Sequence, residues 1–533
     1  MSTPICEGSG TYIERLVGRL AQLGDRPCVR YGGCDIPAAD LLASIYRYAV
    51  ALDSLGIGRG DVVALFAPNR PEALSIRYAA NLIGAGATFL SIPQTLEARA
   101  KLIAAIDPKL LVVFPETAEF VPTEFAMPVA GVRLSPAGGL RLDEIAACQT
   151  GDPVACRAQL EDIAVIISSG GSTGVPKGSW RTFAAYTAMV TVPSPEDRRQ
   201  LVNGPLAYLS QVLVDITLLG GGTVVLRDRY EAVDTLKTIE ADRITDLFLV
   251  EPQLYELMDH PSLVSVDLSS LRTLTHIGAS APPTLRLRAR QKLGARIVHT
   301  YGASEEGLVS VLTAAEDDPA NPEHFSSVGR ILPGVEVRFR REDGAIAALG
   351  EAGSIEVRSP AMAQGYRNRP DVEAVAFREG WYRSGDLGWI DGEGYLHIIG
   401  RAVDISFIDG RMISPTLIED TLCRLPLIRY ASMVADPKLP QWVAAVVPWA
   451  GATIDRAVCL RAIAAEHGET VAASVLLIPC ADIPLTPQGK PDREAIRELG
   501  RREARKSSKE LTVSGELNPV YVENRNFSSA GSS

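Results

Sequence analysis

The chain has 533 residues, of which 46% are hydrophobic and 22% charged, and its net charge is -11. Domains usually contain about 100–200 residues, so this length predicts several, and the acidic balance argues against a nucleic-acid-binding protein. No apolar run approaches the roughly 20 residues of a membrane-spanning helix, and the N-terminus lacks the features of a signal peptide. The eight cysteines include no C-x-x-C pair. We therefore expect a cytoplasmic protein with reduced thiols, no membrane span and no nucleic-acid partner.

The first part of the chain alternates helical and strand patterns. Apolar residues recur at helical spacing over 13–23 and 38–55, whereas 61–68 is a short, nearly continuous apolar run that ends at a proline. A helical pattern over 71–85 is followed by another strand pattern over 87–93, and the alternation continues to residue 299. Alternation of this kind predicts an α/β fold with layered, mostly parallel sheets.

The pattern of predicted elements changes twice towards the C-terminus. Short strands separated by Asp-Gly turns follow Val328 and predict a small β-rich module. Helix and strand patterns after Arg401 predict a compact α+β domain, and the polar segment from about Gly500 onwards is typical of a disordered tail. The predicted organisation is an N-terminal domain (1–400), a small C-terminal domain (405–500) and a disordered tail (501–533).

One loop rich in serine and glycine follows an apolar strand pattern directly and ends at Lys177. Glycines allow the backbone to approach a ligand closely, while hydroxyls and a lysine can bind phosphate oxygens. The loop does not match the nucleotide-binding pattern G-x-x-x-x-G-K-[ST], because Pro176 precedes the lysine and Gly178 follows it. A phosphate-binding loop is the favoured interpretation, and a flexible linker is the alternative. Its candidate phosphate-binding residues are Ser168, Ser169, Gly170, Gly171, Ser172, Thr173, Gly174 and Lys177.

Four further motifs follow the loop. They are His299-Thr-Tyr-Gly-Ala-Ser-Glu305, Tyr382-Arg-Ser-Gly-Asp386, Gly400-Arg401 and Pro484-Leu-Thr-Pro-Gln-Gly-Lys490. In this order and at these separations, the five motifs resemble those of the adenylate-forming superfamily, which includes acyl-CoA synthetases, peptide-synthetase adenylation domains and luciferases. The resemblance extends over nearly the whole chain, to about Arg493.

The resemblance implies a two-step reaction in which a small-molecule acid attacks the α-phosphorus of ATP and a thiol then displaces AMP. It implies ATP and Mg²⁺ as cofactors, and CoA or a free-standing carrier protein as the source of the thiol. In the family a small C-terminal domain rotates between the two steps, so that one active site serves both. The resemblance therefore implies a hinge at 401–404 and a mobile C-terminal domain (405–500) that carries the catalytic lysine.

The resemblance also implies roles for individual residues. Lys490 corresponds to the lysine that bridges the attacking carboxylate and the α-phosphate, Lys177 to the phosphate-loop lysine, and Glu305, with Thr173, to the magnesium-associated groups. Asp386 would accept hydrogen bonds from the ribose hydroxyls, and Tyr301 would stack on adenine. The remaining residues implied to bind the nucleotide are Gly278, Ala279, Ser280, His299, Thr300, Gly302, Ala303, Ser304 and Arg401. The competing interpretation is that the lysine, arginine and carboxylates are ordinary surface or turn residues.

The acid pocket and the hinge depart from the family pattern. Tyr208 occupies the position of a histidine that helps to orient the carboxylate, and we expect Tyr208, Gln211 and Asp215 to line the acid pocket. Val403 occupies the hinge position where the family has Asp or Lys, and a β-branched residue restricts the backbone there. Gly410 matches a glycine that lets a pantetheine arm pass.

The main prediction is therefore an ATP-dependent acid–CoA ligase. Tyr208 and Val403 leave open an adenylate-forming enzyme with a non-thiol acceptor, either an amide synthetase or an enzyme that activates nitrite for diazotisation. A catalytically silent binding protein on the same fold is the third alternative. The sequence does not identify the acid.

Overall fold

The computed structural model describes most of the chain and divides it into two compact units. The described residues are 10–90, 95–121, 127–136, 139–169, 177–207, 209–277, 282–294, 296–318, 320–436, 438–439, 442–486 and 489–514. The first unit comprises Met1–Val403 together with Thr486–Lys490, and the second comprises Asp404–Leu485 and Pro491–Ser533.

The helices lie mostly between strands, as the alternating pattern predicts. Helix α1 illustrates how the sequence determines their bounds: the hydroxyl of Thr11 accepts the N–H of Glu14 at its start, and Gly24 adopts a φ of 55° at its end. The helices are α1 (Tyr12–Leu23), α2 (Ala38–Ser54), α3 (Pro71–Leu82), α4 (Leu96–Ile106), α5 (Leu142–Ala147), α6 (Phe183–Val190), α7 (Leu209–Gly220), α8 (Ala232–Ala241), α9 (Glu251–Asp259), α10 (Pro283–Leu293), α11 (Pro322–Ser326), α12 (Pro370–Ala376), α13 (Pro415–Cys423), α14 (Arg456–His467), α15 (Glu469–Ala473) and α16 (Arg493–Ser514).

The strands are short, and several that lie inside the parallel sheets are buried along their whole length. They are β1 (Pro27–Tyr31), β2 (Cys34–Pro37), β3 (Val62–Phe66), β4 (Gly86–Phe89), β5 (Leu110–Val113), β6 (Val129–Gly131), β7 (Leu140–Arg141), β8 (Ile163–Ser169), β9 (Lys177–Thr182), β10 (Arg199–Val202), β11 (Thr223–Leu226), β12 (Asp246–Val250), β13 (Thr273–Ile277), β14 (Ile297–Ala303), β15 (Gly307–Leu312), β16 (Arg330–Ile331), β17 (Glu336–Arg340), β18 (Gly353–Arg358), β19 (Gly365–Tyr366), β20 (Phe377–Arg378), β21 (Trp381–Ile390), β22 (Leu396–Arg401), β23 (Ser406–Ile408), β24 (Arg411–Ile413), β25 (Ile428–Ala435), β26 (Trp442–Pro448) and β27 (Val475–Pro479).

Two mainly parallel sheets form the core of the first unit. One has nine strands in the order β16-β15-β14-β13-β12-β10-β11-β1-β2, with parallel pairing from β14 through β1. The other has eight strands in the order β19-β9-β8-β4-β3-β5-β6-β7. Because the carboxyl ends of parallel strands meet at one edge of a sheet, the segments that follow β12, β13 and β14 are brought together there.

The remaining sheet of the first unit is antiparallel and consists of β17, β18, β20, β21 and β22. It corresponds to the β-rich module predicted after Val328. Together with the layered parallel sheets and helices, it confirms the predicted α/β fold class.

The second unit contains the three-stranded sheet β25-β26-β27, the hairpin β23-β24 and helices α13 to α16. The prediction of a disordered tail from residue 501 is wrong for 501–514, which continue helix α16. Glu498 pairs with Arg501 at 3.6 Å and with Arg502 at 3.5 Å, and ion pairs three and four residues apart support a polar helix. The other part of the predicted tail, 515–533, lies outside the described residues.

A buried ion pair connects two helices of the first unit. The guanidinium of Arg77 on α3 donates to both carboxylate oxygens of Asp215 on α7, at 2.8 and 2.7 Å, and both side chains are fully buried. The hydroxyls of Tyr78 and Tyr186 also donate to this carboxylate. The pair therefore has the additional hydrogen bonds that a desolvated carboxylate requires.

Candidate functional site

A cavity of about 500 Å³ lies within the first unit, at the carboxyl ends of the parallel strands. Its walls are mostly apolar side chains from α6, α7 and the strands β12 to β15. Lys490 is the only residue with an ionisable side chain among the described residues that line the cavity. The apolar lining includes Met189, Val192, Leu209, Val212, Leu213, Ile216, Phe248, Val250, Ile277, Val298, Leu308, Val311, Leu332 and Val335.

Lys490 reaches this cavity on a segment that belongs to the first unit. Gly489 precedes it with a φ of +79°, and a Cβ at Gly489 would lie 3.3 Å from Val250 and 3.1 Å from Gln253. Lys490 is accessible to solvent inside the cavity, yet protein atoms surround it, and this desolvation lowers the pKa of its ammonium group; Arg401 contributes in the same direction. The structure therefore brings a cationic group to the wall of an apolar pocket.

Asp386 is held by hydrogen bonds and charge at the antiparallel sheet. It is 3% exposed, and its carboxylate accepts the hydroxyl of Tyr301 at 2.8 Å. Arg401 lies opposite Asp386 in the β21–β22 register, with its Nε 3.2 Å from Oδ1. A two-oxygen acceptor fixed in this way is suited to binding vicinal hydroxyls.

Glu305 is 7% exposed and is held from two sides. Its Oε1 accepts the hydroxyl of Tyr366 at 2.9 Å. Its carbonyl oxygen accepts the N–H of Ala363 at 2.7 Å and a guanidinium N–H of the fully buried Arg181 at 3.3 Å. Burial lowers the pKa of Arg181 to about 10, which still leaves the guanidinium charged at neutral pH.

Glu306 is not the surface acid that its polarity would suggest. It is fully buried, and among the described residues neither of its carboxyl oxygens has a hydrogen-bond partner. Burial raises the pKa of Glu306 well above its usual range, and Asp386 and Glu305 raise it further. The protonated form of Glu306 is therefore favoured beside two carboxylates.

The two ends of the predicted phosphate loop lie on paired strands. Strands β8 and β9 are antiparallel, with Ser168 opposite Gly178 and Ser169 opposite Lys177. This register holds the two ends of the loop together. Outside the described residues lie the predicted phosphate-binding residues Gly170, Gly171, Ser172, Thr173 and Gly174, the nucleotide-binding residues Gly278, Ala279 and Ser280, and the pocket residue Tyr208.

Strand β14 separates the predicted nucleotide-binding residues onto two faces. Val298, Thr300 and Gly302 line the cavity, whereas His299 and Tyr301 do not, because side chains alternate along a strand. Ala303 and Ser304, at the end of the strand and beyond a shift in its pairing register, also line the cavity. The expected direct role of His299 in nucleotide binding is not supported: it is buried, with its Nδ1 3.1 Å from that of His276. Tyr301 is 2% exposed and orients Asp386, and its stacking on adenine stays a prediction.

Gly302 is required by the fold itself. A Cβ at this position would lie 2.1 Å from the carbonyl oxygen of Gly307, where β14 turns into β15. We expected the glycine to admit a ligand, and the structure adds this close backbone approach.

The expectation that Gln211 and Asp215 line the acid pocket is contradicted. On α7, Leu209, Leu213 and Ile216 face the cavity, whereas Gln211 and Asp215 are absent from its lining and buried. Residues four apart lie on the same face of a helix, so both belong to the face that carries the ion pair with Arg77. The side chains of α7 that line the cavity are apolar except for Ser210.

Sequence reasoning assigned no role to Tyr366, Arg181 or Glu306, although all three lie around Glu305. The segment Gln364-Gly-Tyr366 carried a weak signal, because it also resembles the family pattern, although less specifically than the five motifs. Nothing in the sequence distinguishes a buried arginine in a strand from an exposed one.

The donor set fits magnesium bound largely through a nucleotide. Within the described ranges there is no group of three or more His, Cys, Asp or Glu side chains that could hold a metal ion. Mg²⁺ is commonly bound by one or two carboxylates plus substrate phosphates, and Glu305 would supply one such carboxylate. No helix of the described part is long and apolar enough to cross a membrane.

Comparison with known proteins identifies the class. The sequence pattern of the AMP-binding enzyme family matches residues 18–367. The chain is 33% identical to a feruloyl-CoA synthase from Amycolatopsis sp., over 80% of this chain and 86% of that protein. It is 29% identical to the medium/long-chain-fatty-acid–CoA ligase FadD8 of Mycobacterium tuberculosis, over 90% of this chain and 89% of that protein.

A solved structure supports the same class of protein. The amide bond synthetase McbA from Marinactinospora thermotolerans is 30% identical and superposes with a TM-score of 0.80, over 91% of this chain and 99% of that chain. The chain therefore belongs to the AMP-binding enzyme family of adenylate-forming ligases. It is an AMP-forming ligase, and the family uses ATP, Mg²⁺ and CoA, as the motifs predicted.

Asp386 provides a test of the nucleotide site. We expect Asp386→Ala to raise the Kd for ATP by about 10- to 100-fold, because hydrogen bonds to a charged acceptor contribute about 1.5–3 kcal/mol. Calorimetric titration with ATP and Mg²⁺ measures the effect. The control is Asp343→Ala, which removes an exposed carboxylate paired with Arg341. Equal ATP affinity in the two variants would contradict the ribose assignment.

Proposed function

We propose that this enzyme activates a monocarboxylic acid with an uncharged, apolar body and transfers the acyl group to CoA. The observation that carries the proposal is the apolar cavity of about 500 Å³, in which Lys490 is the one ionisable side chain among the described lining residues. A single cation on an apolar wall suits a molecule with one carboxylate.

The residues that line the cavity also argue against acids that carry a second charged group. An amino acid would place an ammonium group in the cavity, and no carboxylate among the described lining residues faces it. A dicarboxylate would need a second cation. Burying an unpaired charge has an effective penalty of several kcal/mol, so both classes should be rejected.

In the first step a carboxylate oxygen attacks the α-phosphorus of ATP, and the bond to the pyrophosphate oxygen breaks. We assign to Lys490 the role of stabilising the negative charge that develops between the carboxylate and the α-phosphate in the transition state, where a preorganised cation is most effective. Asp386 would hold the ribose, Glu305 the magnesium ion and Lys177 the departing phosphates. In the second step a thiolate forms a bond to the acyl carbon, and AMP leaves.

The names of the relatives support CoA as the acceptor, since the feruloyl-CoA synthase and FadD8 both form CoA thioesters. A free-standing carrier protein would present the same thiol chemistry. One observation favours a second candidate: the structural neighbour McbA is an amide bond synthetase, so an amine is an alternative acceptor.

The test measures AMP release with pairs of acids that differ in one charge. We expect 3-phenylpropanoate to be preferred over phenylalanine, and octanoate over octanedioate, by about 100-fold or more in kcat/KM, because the second charge would be buried without a partner. Equal rates within either pair would contradict the proposed acid class.

The acceptor is tested separately on the best acid. CoA and a primary amine are supplied in turn, and the masses of the products are measured by mass spectrometry. A CoA-dependent thioester supports the main proposal. An amide in the presence of amine alone would favour the second candidate. Diazotisation is tested without the acid, with nitrite and an aromatic amine together, and a nitrite-dependent diazonium product would identify a diazotising enzyme.

A further inference from the structure

Tyr366 lies between two oppositely charged groups of the site. It belongs to strand β19, which pairs with β9 so that Tyr366 is opposite Ser179, two residues beyond Lys177. The side chain is 3% exposed. Its hydroxyl points to Glu305 on one side, and the face of its ring is turned to Lys177 on the other.

The two contacts differ in kind. The hydroxyl donates to Oε1 of Glu305 at 2.9 Å, which fixes the carboxylate. The ammonium of Lys177 lies 5.1 Å from the ring centroid, within the range of a cation–π interaction. Between these two described residues, Lys177 and Glu305, there is no direct ion pair, although both contact the same side chain.

Tyr366 is itself fixed by its neighbours. Its backbone N–H donates to Oε2 of Glu373 at 2.9 Å, and the adjacent Arg367 N–H donates to the carbonyl of Gly178 at 2.9 Å. Ala363, three residues before Tyr366, donates to the carbonyl of Glu305. The segment therefore connects the strand that begins at Lys177 with the turn that carries Glu305.

We propose that Tyr366 is a positioning residue that keeps Lys177 and Glu305 apart, so that the ammonium remains available to phosphate and the carboxylate to magnesium. The inference rests on the proposed placement of magnesium at Glu305. A direct pair between the two groups would neutralise both charges, and the tyrosine replaces it with one contact to each.

The test separates the two contacts by measuring nucleotide affinity with and without metal. Tyr366→Phe removes the hydroxyl and keeps the ring, whereas Tyr366→Leu removes both. Tyr395→Phe is the matched control, because Tyr395 is also 3% exposed and its hydroxyl also donates to a glutamate, Glu316, at 3.3 Å. Calorimetry gives the Kd for ATP with Mg²⁺ and for ATP in excess chelator.

We expect Tyr366→Phe to weaken Mg²⁺-dependent ATP binding by about 10-fold and to leave metal-free binding unchanged, because a hydrogen bond to a charged group is lost. Tyr366→Leu should also weaken metal-free binding, by about 3- to 10-fold, through loss of the ring contact with Lys177. Tyr395→Phe should behave as the wild type in both conditions.

An unchanged ratio of the two Kd values in Tyr366→Phe would overturn the inference, whether neither value changes or both rise by the same factor. An equal rise would indicate a purely structural role. In a Glu305→Gln background, Tyr366→Phe should have no further effect on the ratio, and an additional loss there would also contradict it. If the wild type binds ATP equally well with and without Mg²⁺, the metal placement at Glu305 fails, independently of Tyr366.

Discussion

Replacing Lys490 by alanine is expected to slow formation of the acyl-adenylate by about 100- to 1000-fold while ATP still binds. The reason is that one preorganised charge at the reacting centre stabilises the transition state far more than the ground state. Acid-dependent exchange of labelled pyrophosphate into ATP measures the first step alone, and calorimetry measures ATP binding.

The control for this substitution is Lys101→Ala. Lys101 is an exposed lysine that pairs with Glu97 on the surface of α4, so its loss should leave the exchange rate unchanged. Near-normal exchange in Lys490→Ala would remove Lys490 from the mechanism. A parallel loss of ATP affinity would assign it to nucleotide binding instead.

Replacing Asp215 by alanine is expected to destabilise the first unit by about 3–5 kcal/mol, because it leaves the buried guanidinium of Arg77 without its counter-charge. The Arg77 side chain is fully buried, so water cannot compensate. Denaturant unfolding followed by circular dichroism measures the change.

Two further variants show whether the effect comes from the unpaired charge. Asp197→Ala removes a carboxylate that is 72% exposed and paired with Arg272, and it should change stability by no more than about 1 kcal/mol. Replacing both partners, Arg77→Met with Asp215→Leu, should restore much of the loss, because no charge is then left buried. A loss in Asp215→Ala as small as that in Asp197→Ala would contradict the argument.

The sequence predicted the layered fold because its strands are buried on both faces. Val62–Phe66 and Leu110–Val113 are continuous apolar runs, and the helices between them keep an apolar face. Glu305 and Asp386 could also be found from the sequence, because each lies in a motif whose residues and spacing resemble the family pattern. For both, the structure adds the groups that hold them, Tyr366 and Tyr301.

The sequence could not determine which face of an element meets the cavity. Helical spacing places Gln211 and Asp215 together, and opposite Leu213, but it does not indicate which side is the pocket. The same difficulty arose for His299 on strand β14, because the sequence does not indicate which face of the strand meets the cavity. The partner of Asp215 is Arg77, 138 residues earlier in the chain, and no local pattern connects the two.

Helix α7 has a consequence for how the acid preference could change over evolutionary time. Leu209, Leu213 and Ile216 line the cavity, whereas Asp215 on the same helix is absent from the lining and forms the ion pair with Arg77. Substitutions on the cavity face leave the anchoring charges untouched. With this cavity proposed as the acid site, a new acid could be accommodated by changing the lining side chains of α7 while the ion pair keeps the helix in place, so that acid preference and folding would be separately adjustable.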